Sequence, residues 1–293
     1  MRTPLRTLTG LVRLARPKDW IKSVFVLLPV PFALAAGQGN LDLARFALGL
    51  AGLCLVSSAV YCYNDARDAE ADRLHPRKKL RPVAAGIVSV RAAYLETLLL
   101  LAAGAGLSYA SGSLGALWLT LLYACANGFY THYAKHIAPL DIFLLTSFFI
   151  LRVFLGCTLI GAVPSNWLLL CSSTLSLFLV LAKRRADLMA GLGDTHRQSL
   201  SGYSLGFLDQ AMGITGGIAF LSYALYCMDA KLFTPGREFY SLPFAAAGLL
   251  DYMRLALVRG VGGSPVDAAT SEPSILICGV GWVLAVAFSI HLS

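Results

Sequence analysis

The chain has 293 residues, of which 57% are hydrophobic and only 14% are charged, and its mean hydropathy is +0.68. Soluble domains carry about 25% charged residues, so this composition excludes an ordinary soluble enzyme, a disordered protein and a disulfide scaffold. The formal net charge of +8 therefore belongs to a protein that lies mostly in lipid.

Nine apolar stretches follow one another along the chain, and each is about long enough to cross a bilayer as a helix. They cover roughly residues 20–37, 43–63, 91–110, 114–131, 138–161, 165–182, 211–229, 240–257 and 273–292. Backbone groups in hydrocarbon must pair with one another, which helices allow, and the alternating pattern of a membrane β-barrel is absent from the sequence. The sequence therefore predicts an all-α polytopic membrane protein, a bundle of about nine transmembrane helices.

Lysine and arginine are distributed unevenly between the two sides of this predicted bundle. Twenty of the 24 lie in the N-terminal segment and in the connections after the second, fourth, sixth and eighth predicted helices, whereas three lie on the opposite side. Because positive residues are retained on the cytoplasmic side, the N-terminus is predicted to be cytoplasmic. Topology and anionic lipid then explain the positive charge, and no nucleic-acid partner is expected.

Three aspartates stand in helical spacing at the predicted cytoplasmic end of the second helix. Asp65, Asp68 and Asp72 occupy positions i, i+3 and i+7, so they share one face if the helix continues, with Asn64 directly before them. Carboxylates stacked in this way repel one another, but together they can hold a hard divalent cation that is bound to a diphosphate. We predict a Mg²⁺ site of Asp65, Asp68 and Asp72, in which Asp65 and Asp68 are catalytic.

Cations on the same side of the bundle could bind phosphate groups around this metal. Arg152 differs from the others because it interrupts an apolar helix, where a charge is costly unless it meets an anion. The predicted substrate-binding residues are Lys22, Asn64, Arg81, Lys135, Arg152, Lys183 and Arg184.

Two plainer interpretations compete with these predictions. The aspartates could form a water-exposed helix end that Arg67 and Arg73 neutralise, and Arg152 could be a structural partner of Asp141, about three helical turns earlier.

Several motifs resemble those of one known family. The pattern N-D-x-x-D-x-x-x-D from Asn64 to Asp72, followed by R-x-x-H-P and R-P-x-x-x-G from Arg73 to Gly86, resembles the first aspartate motif of the UbiA-type membrane transferases. The segment Arg16–Ser23 is similar to their R-P-x-x-W-x-K motif, and Tyr130 with Lys135 is similar to their Y-x-x-x-x-K motif. The resemblance implies that residues 1–293 form a single membrane-embedded UbiA-type transferase domain, and it adds Tyr130 to the predicted substrate-binding residues.

The resemblance also contains one departure. Members that transfer prenyl groups carry a second acidic motif, D-x-x-x-D, where this chain has Lys183 and Asp187. The K-R-x-x-D pattern, the Asp141 segment, Leu151 with Arg152, and R-x-x-L-x-x-Y at residues 197–203 instead resemble the decaprenyl-phosphate phosphoribosyltransferase branch.

This branch implies an enzyme that moves phosphoribose from phosphoribosyl diphosphate (PRPP) to decaprenyl or polyprenyl phosphate, with Mg²⁺ as cofactor and release of diphosphate. The reaction would serve cell wall biosynthesis at the cytoplasmic face of the bacterial inner membrane. One alternative is a UbiA-type prenyltransferase that acts on an aromatic acceptor. Another is an anionic-solute transporter that uses the cationic face and Arg152, but a transporter does not require three aligned aspartates.

Overall fold

The computed structural model describes residues 4–74, 78–191, 198–229, 232–259 and 272–290. Within these residues the chain forms twelve α-helices and several short 3₁₀ helices. The α-helices are α1 (Pro4–Ala15), α2 (Val24–Leu27), α3 (Pro29–Ala35), α4 (Leu43–Arg67), α5 (Ala69–Leu74), α6 (Val90–Ala110), α7 (Leu114–His132), α8 (Leu140–Ile160), α9 (Asn166–Met189), α10 (Leu205–Asp229), α11 (Leu242–Val258) and α12 (Pro273–Ser289).

Five of these helices, α4, α6, α8, α9 and α10, are long and apolar enough to cross a membrane. The outer face of α6 carries Leu95, Leu98 and Leu99, and each of these side chains is more than half exposed. Such a leucine face suits lipid, since a contiguous apolar surface of this kind is unfavourable in water. The predicted all-helical membrane class is confirmed, whereas the count of nine spans and the side of the N-terminus stay predictions.

Eight of the nine predicted stretches each correspond to one long helix. These helices are α4 and the seven from α6 to α12. Local sequence explains where several of them begin, because short polar side chains accept hydrogen bonds from the first free backbone N–H groups. Asp42, Ser89, Ser113 and Ser165 cap α4, α6, α7 and α9 in this way. Gly161 ends α8 in a left-handed conformation with φ 69°, which glycine adopts without strain.

The first predicted stretch, residues 20–37, is not a single helix. It consists of a 3₁₀ helix, Pro17–Ser23, followed by α2 and α3 with a break at Leu28. The break precedes Pro29, which has no backbone N–H to continue the helical hydrogen bonds and crowds the preceding turn. Before this stretch, α1 was not predicted because its arginines interrupt the apolar pattern, yet its Leu14 is fully buried.

Small residues bring α4 and α6 close together. A Cβ atom added at Gly104 would lie 2.7 Å from the carbonyl oxygen of Gly52, and one added at Gly52 would collide with the hydroxyl of Ser108. Close approach through such residues is how helices pack in a membrane, where neighbouring lipid tails compete with apolar side chains.

Replacing Gly104 with valine should therefore force α4 and α6 apart. We expect a loss of about 1 to 3 kcal/mol in the free energy of unfolding, as for other overpacked sites. Thermal unfolding of the purified protein in detergent measures this effect, and Gly106→Val on the same helix is the control because its added side chain meets open space. Equal melting temperatures for the two variants would contradict the packing argument.

Three connections meet at one end of the bundle, which we call the basic end. They are residues 68–74 and 78–89 between α4 and α6, residues 133–139 between α7 and α8, and residues 190–191 and 198–204 between α9 and α10. Lys135 after α7 contacts Asp68 after α4, and Arg185 on α9 contacts both Asp209 on α10 and the carbonyl oxygen of Ala256 on α11. These ion pairs and hydrogen bonds bring together residues that are far apart in the sequence.

Candidate active site

Two buried aspartates at the basic end share one arginine. Asp65 and Asp72 are only 2% and 3% exposed. Nη1 of Arg81 lies 3.0 Å from an oxygen of Asp65 and 2.7 Å from an oxygen of Asp72. Nζ of Lys78 lies 3.8 Å from the other oxygen of Asp72. The two carboxylates therefore converge on one position of positive charge.

A second arginine holds Asp65 from the other side. Nη2 of Arg16 lies 2.7 and 2.9 Å from the two carboxylate oxygens. Burial opposes the charge of Arg16, but its attraction to Asp65 holds its pKa above the ordinary value. Arg16 has φ 51°, a left-handed conformation that is uncommon outside glycine, directly before Pro17. This ion pair therefore anchors the turn between α1 and the 3₁₀ helix to the end of α4.

The third aspartate faces a different cation, which corrects the prediction of one continuous acidic face. The helix is interrupted at Asp68, where φ is −88° and ψ is 7°. Backbone hydrogen bonds from Asp68 N–H to Asn64 and from Asp72 N–H to Asp68 still preserve the helical spacing, at 2.9 and 2.8 Å. The carboxylate of Asp68 is one-third exposed, however, and lies 3.5 Å from Nζ of Lys135.

The three carboxylates at this site suit a divalent cation only in part. Among the residues that the structure describes, no group of three or more His, Cys, Asp or Glu side chains is placed to hold a metal. Carboxylate oxygens are nevertheless the ligands that Mg²⁺ prefers, and Asp65 and Asp72 already converge on a single cationic nitrogen. Asp68 lies one helical turn from both and would join them if it left Lys135.

Two predicted substrate-binding residues stand beside the aspartates. Nζ of Lys22 lies 2.7 Å from Asp19 and donates a 3.1 Å hydrogen bond to the hydroxyl of Tyr61, one turn before Asp65. The amide oxygen of Asn64 accepts a 2.9 Å hydrogen bond from Thr131 at the end of α7. These contacts fix both residues at the rim of the acidic pair.

A second polar cluster surrounds Asp141 at the start of α8. Asp141 and Arg184 form an ion pair of 2.7 Å in which both side chains are fully buried. Asp141 also accepts hydrogen bonds from Ser199 at 3.0 Å and from Tyr203 at 2.6 Å. Burial, together with this bond to Asp141, raises the pKa of Tyr203.

Arg184 is occupied by this cluster, which corrects its prediction as a direct phosphate contact. Besides Asp141, its guanidinium lies 3.2 Å from an oxygen of Asp187 and donates a 3.1 Å hydrogen bond to the hydroxyl of Tyr130. All three of its nitrogens thus have partners within the protein. Arg184 instead positions Tyr130 and Asp187, while the neighbouring Lys183 is half-buried on the same helix.

Arg152 lies deeper in the bundle, three turns beyond Asp141 on α8. Its interpretation as a partner of Asp141 is wrong, since that carboxylate pairs with Arg184. Arg152 donates hydrogen bonds to the carbonyl oxygen of Phe148 at 2.7 Å and to the hydroxyl of Tyr123 at 2.9 Å. The guanidinium also stacks over the Tyr123 ring at 4.8 Å, and its buried Nε atom has no hydrogen-bond partner. Its predicted contact with substrate stays a prediction.

A cavity of about 720 Å³ lies among α3, α9, α10, α11 and α12. Its wall is mostly apolar and includes Phe32, Leu175, Ala219 and Leu249. These residues belong to the middle of the bundle and to the half away from the basic end. A cavity of this size and composition suits an apolar chain rather than a phosphate group.

Sequence reasoning missed several residues of these clusters. Arg16 was noted only as part of a motif, and Ser199 and Tyr203 were not linked to Asp141 because their contact spans about sixty residues. Two other residues of the predicted motifs, His75 and Arg197, lie outside the described residues.

The chain is similar to known proteins over most of its length. The model of the UbiA prenyltransferase family matches residues 23–260. A decaprenyl-phosphate phosphoribosyltransferase from Corynebacterium glutamicum is 32% identical, with coverage of 99% of this chain and 89% of the relative. A protein of the same name from Mycolicibacterium smegmatis is 29% identical, with coverage of 99% and 95%.

Solved structures share the fold. The structure of a UbiA homolog from Archaeoglobus fulgidus, bound to GPP and Mg²⁺, superposes with a TM-score of 0.70 at 20% identity. The match covers 95% of this chain and 97% of that chain. At this identity the likeness concerns the arrangement of helices.

Proposed function

Because the chain belongs to the UbiA prenyltransferase family, we propose that it transfers phosphoribose from PRPP to decaprenyl phosphate or another polyprenyl phosphate. The relatives named for this reaction match nearly the whole chain. In the reaction, a phosphate oxygen of the lipid forms a bond to C1 of the ribose, and the bond from C1 to the diphosphate oxygen breaks. Diphosphate leaves with the electron pair of that bond.

One observation carries the proposal more than any other. The first position of the second acidic motif holds Lys183 instead of an aspartate, so the bundle pairs one acidic cluster with an additional cation. A polyprenyl phosphate is already an anionic nucleophile and needs cations to hold its head group rather than a strong base. An aromatic acceptor would instead require the removal of a ring proton.

We propose that Asp65, Asp68 and Asp72 hold Mg²⁺. A bound Mg²⁺ would neutralise the charge that builds on the departing diphosphate. Asp65 is bound on both oxygens by Arg16, whereas the lysine contacts of Asp68 and Asp72 are longer, at 3.5 and 3.8 Å. Asp68 is therefore the carboxylate that can exchange partners with least rearrangement, whereas Asp72 must also leave Arg81, at 2.7 Å.

The phosphate groups would be bound by cations at the basic end. Lys22, Arg81, Lys135 and Lys183 have this role in the proposal, with Asn64 and Tyr130 as hydrogen-bonding groups. Arg184 orients Tyr130, and Arg152 is proposed to contact an anion through its free Nε atom.

The proposal also includes the orientation in the membrane. A single domain of nine transmembrane helices with a cytoplasmic N-terminus would place the basic end at the cytoplasmic face of the bacterial inner membrane. The excess of lysine and arginine at this end supports that orientation.

The apolar cavity is proposed to bind part of the polyprenyl chain. Ala245→Trp should fill the cavity beside Leu249 and raise the KM for polyprenyl phosphate several-fold, while the KM for PRPP stays unchanged. Ala247→Trp is the matched control, because Ala247 is exposed on the same helix. Steady-state kinetics with each substrate varied in turn measure both constants, and an unchanged KM for the lipid in Ala245→Trp would argue against the cavity as its site.

The function itself is tested with purified protein in detergent and Mg²⁺. One reaction contains polyprenyl phosphate and radiolabelled PRPP, and a parallel reaction contains prenyl diphosphate and radiolabelled hydroxybenzoate. We expect label to enter the lipid fraction in the first reaction only. Transfer in the second reaction alone would replace the proposed function with that of an aromatic prenyltransferase.

A further inference from the structure

The acidic pair is already neutralised by side chains of the protein. Asp65 and Asp72 are almost completely buried, and Arg16, Lys78 and Arg81 all lie within 4 Å of them. Buried carboxylates without partners would strongly destabilise the fold. The chain therefore carries its own counter-ions for these two aspartates.

Arg81 stands where a metal shared by the two aspartates would be. Its Nη1 contacts both carboxylates at 3.0 and 2.7 Å, which are distances that leave no space for a second cation between them. A divalent ion at the same oxygens would also be repelled by the guanidinium. Binding of such an ion therefore requires Arg81 to move.

We propose that Arg81 is an exchangeable counter-ion, which neutralises Asp65 and Asp72 until a metal arrives and then binds the diphosphate that accompanies this metal. The inference rests on the proposed function, because it assumes a metal and a diphosphate at this site.

The geometry distinguishes Arg81 from Arg16 as the residue that moves. Arg16 contacts both oxygens of one carboxylate and belongs to the strained turn before Pro17. Arg81 uses one nitrogen for two carboxylates, is 26% exposed, and comes from the turn after the 3₁₀ helix Lys78–Leu80. Its side chain can leave without any displacement of a long helix.

This exchange makes the two ligands depend on each other. A metal without diphosphate must displace Arg81 and leave its guanidinium without an anion, so the metal alone binds weakly. When diphosphate is present, the displaced guanidinium gains an anionic phosphate partner. Metal and diphosphate should therefore bind more tightly together than separately, which is a reciprocal coupling.

The test measures Mn²⁺ binding to the full-length protein in detergent by electron paramagnetic resonance, with no substrate present. Mn²⁺ takes the same oxygen ligands as Mg²⁺ and gives a signal that distinguishes free from bound ion. Arg81→Gln removes the competing charge, so we expect this variant to bind Mn²⁺ at least tenfold more tightly than the wild-type protein. In isothermal titrations at fixed Mn²⁺, the same variant should bind inorganic diphosphate at least tenfold more weakly.

Two further variants keep the test decisive. Arg81→Lys retains the positive charge, so its affinity for Mn²⁺ should stay close to the wild-type value. Arg91→Gln changes an exposed arginine at the start of α6 and should leave both affinities unchanged. Thermal unfolding shows whether each variant is folded, and Mn²⁺ should raise the melting temperature of Arg81→Gln more than that of the wild-type protein.

Folded Arg81→Gln that binds Mn²⁺ no more tightly than the wild-type protein would overturn the inference. The proposed function would survive this result as long as the wild-type protein transfers phosphoribose. Absence of that transfer in the wild-type protein would instead overturn the proposed function, whereas tighter Mn²⁺ binding by Arg81→Gln would still support the exchange at Arg81.

Discussion

Replacing Asp72 with asparagine is expected to lower kcat by about 10³-fold, because about 4 kcal/mol of charge stabilisation on the leaving diphosphate would be lost. Asp72 converges with Asp65 on Arg81 and is buried, so its charge acts in surroundings of low polarity. Asp68→Asn should show a similar loss. Its carboxylate has only a long contact with Lys135, and it is proposed to leave this lysine and bind the same Mg²⁺.

The matched control for both variants is Asp42→Asn. Asp42 caps the opposite end of α4 through two backbone N–H groups, and asparagine is an equally good cap. We expect normal turnover and an unchanged melting temperature in this control. Phosphoribose transfer at saturating Mg²⁺ is the measurement, and full activity in Asp72→Asn would remove this residue from the metal site.

Asp65→Asn should behave differently from the other two. Its carboxylate binds both Nη2 of Arg16 and Nη1 of Arg81, so the substitution weakens the anchor of α1 as well as the acidic pair. A lower melting temperature should therefore accompany its loss of turnover.

A large loss of stability is expected when the buried ion pair of Asp141 and Arg184 is broken. Asp141→Asn should lower the free energy of unfolding by about 3 to 5 kcal/mol, because it leaves the guanidinium buried without its counter-charge. Arg184→Met should destabilise by a similar amount, because the carboxylate then keeps only the hydroxyls of Ser199 and Tyr203. Thermal and denaturant unfolding in detergent measure both variants.

The double variant tests whether the two residues act as a pair. Asp141→Asn combined with Arg184→Met leaves no uncompensated charge, so it should be more stable than either single variant. Turnover should remain low, because Tyr130 and Asp187 lose the guanidinium that positions them. Strictly additive losses of stability would contradict the pairing.

Helix positions could be predicted closely because membrane helices are determined by runs of apolar residues. The predicted stretch 114–131 corresponds to α7, and 91–110 corresponds to α6, within one residue. The break before Pro29 was not predicted, although the proline itself was visible. A proline can either kink a membrane helix or end it, and only the surrounding packing decides between these outcomes.

The candidate site was predictable as a set of residue types but not as a set of pairs. The spacing of Asp65, Asp68 and Asp72 indicated an acidic site, and two of the three do converge. Their choice of partners depends on Arg81 and Lys135, whose approach depends on how distant helices pack. A pattern along one helix carries no information on which cations other segments bring to it.

The buried arginines show the same limit. Arg184 was predicted to bind phosphate because it lies among cations at the end of a helix. Its burial is set by Asp141 and Tyr130, which approach from two other helices. Sequence indicates the charge of such a residue, whereas tertiary structure decides whether a ligand or the protein itself neutralises it.

The origin of the cations at the aspartates has a consequence for biosynthesis. They come from three separate parts of the chain, since Arg16 precedes α2, Lys78 and Arg81 follow α5, and Lys135 follows α7. When α4 leaves the ribosome, the part that carries Lys135 has not yet been made. Asp68 must therefore stay hydrated at the membrane surface until α7 has been inserted, whereas the cations of Asp65 and Asp72 are present before α6 is made.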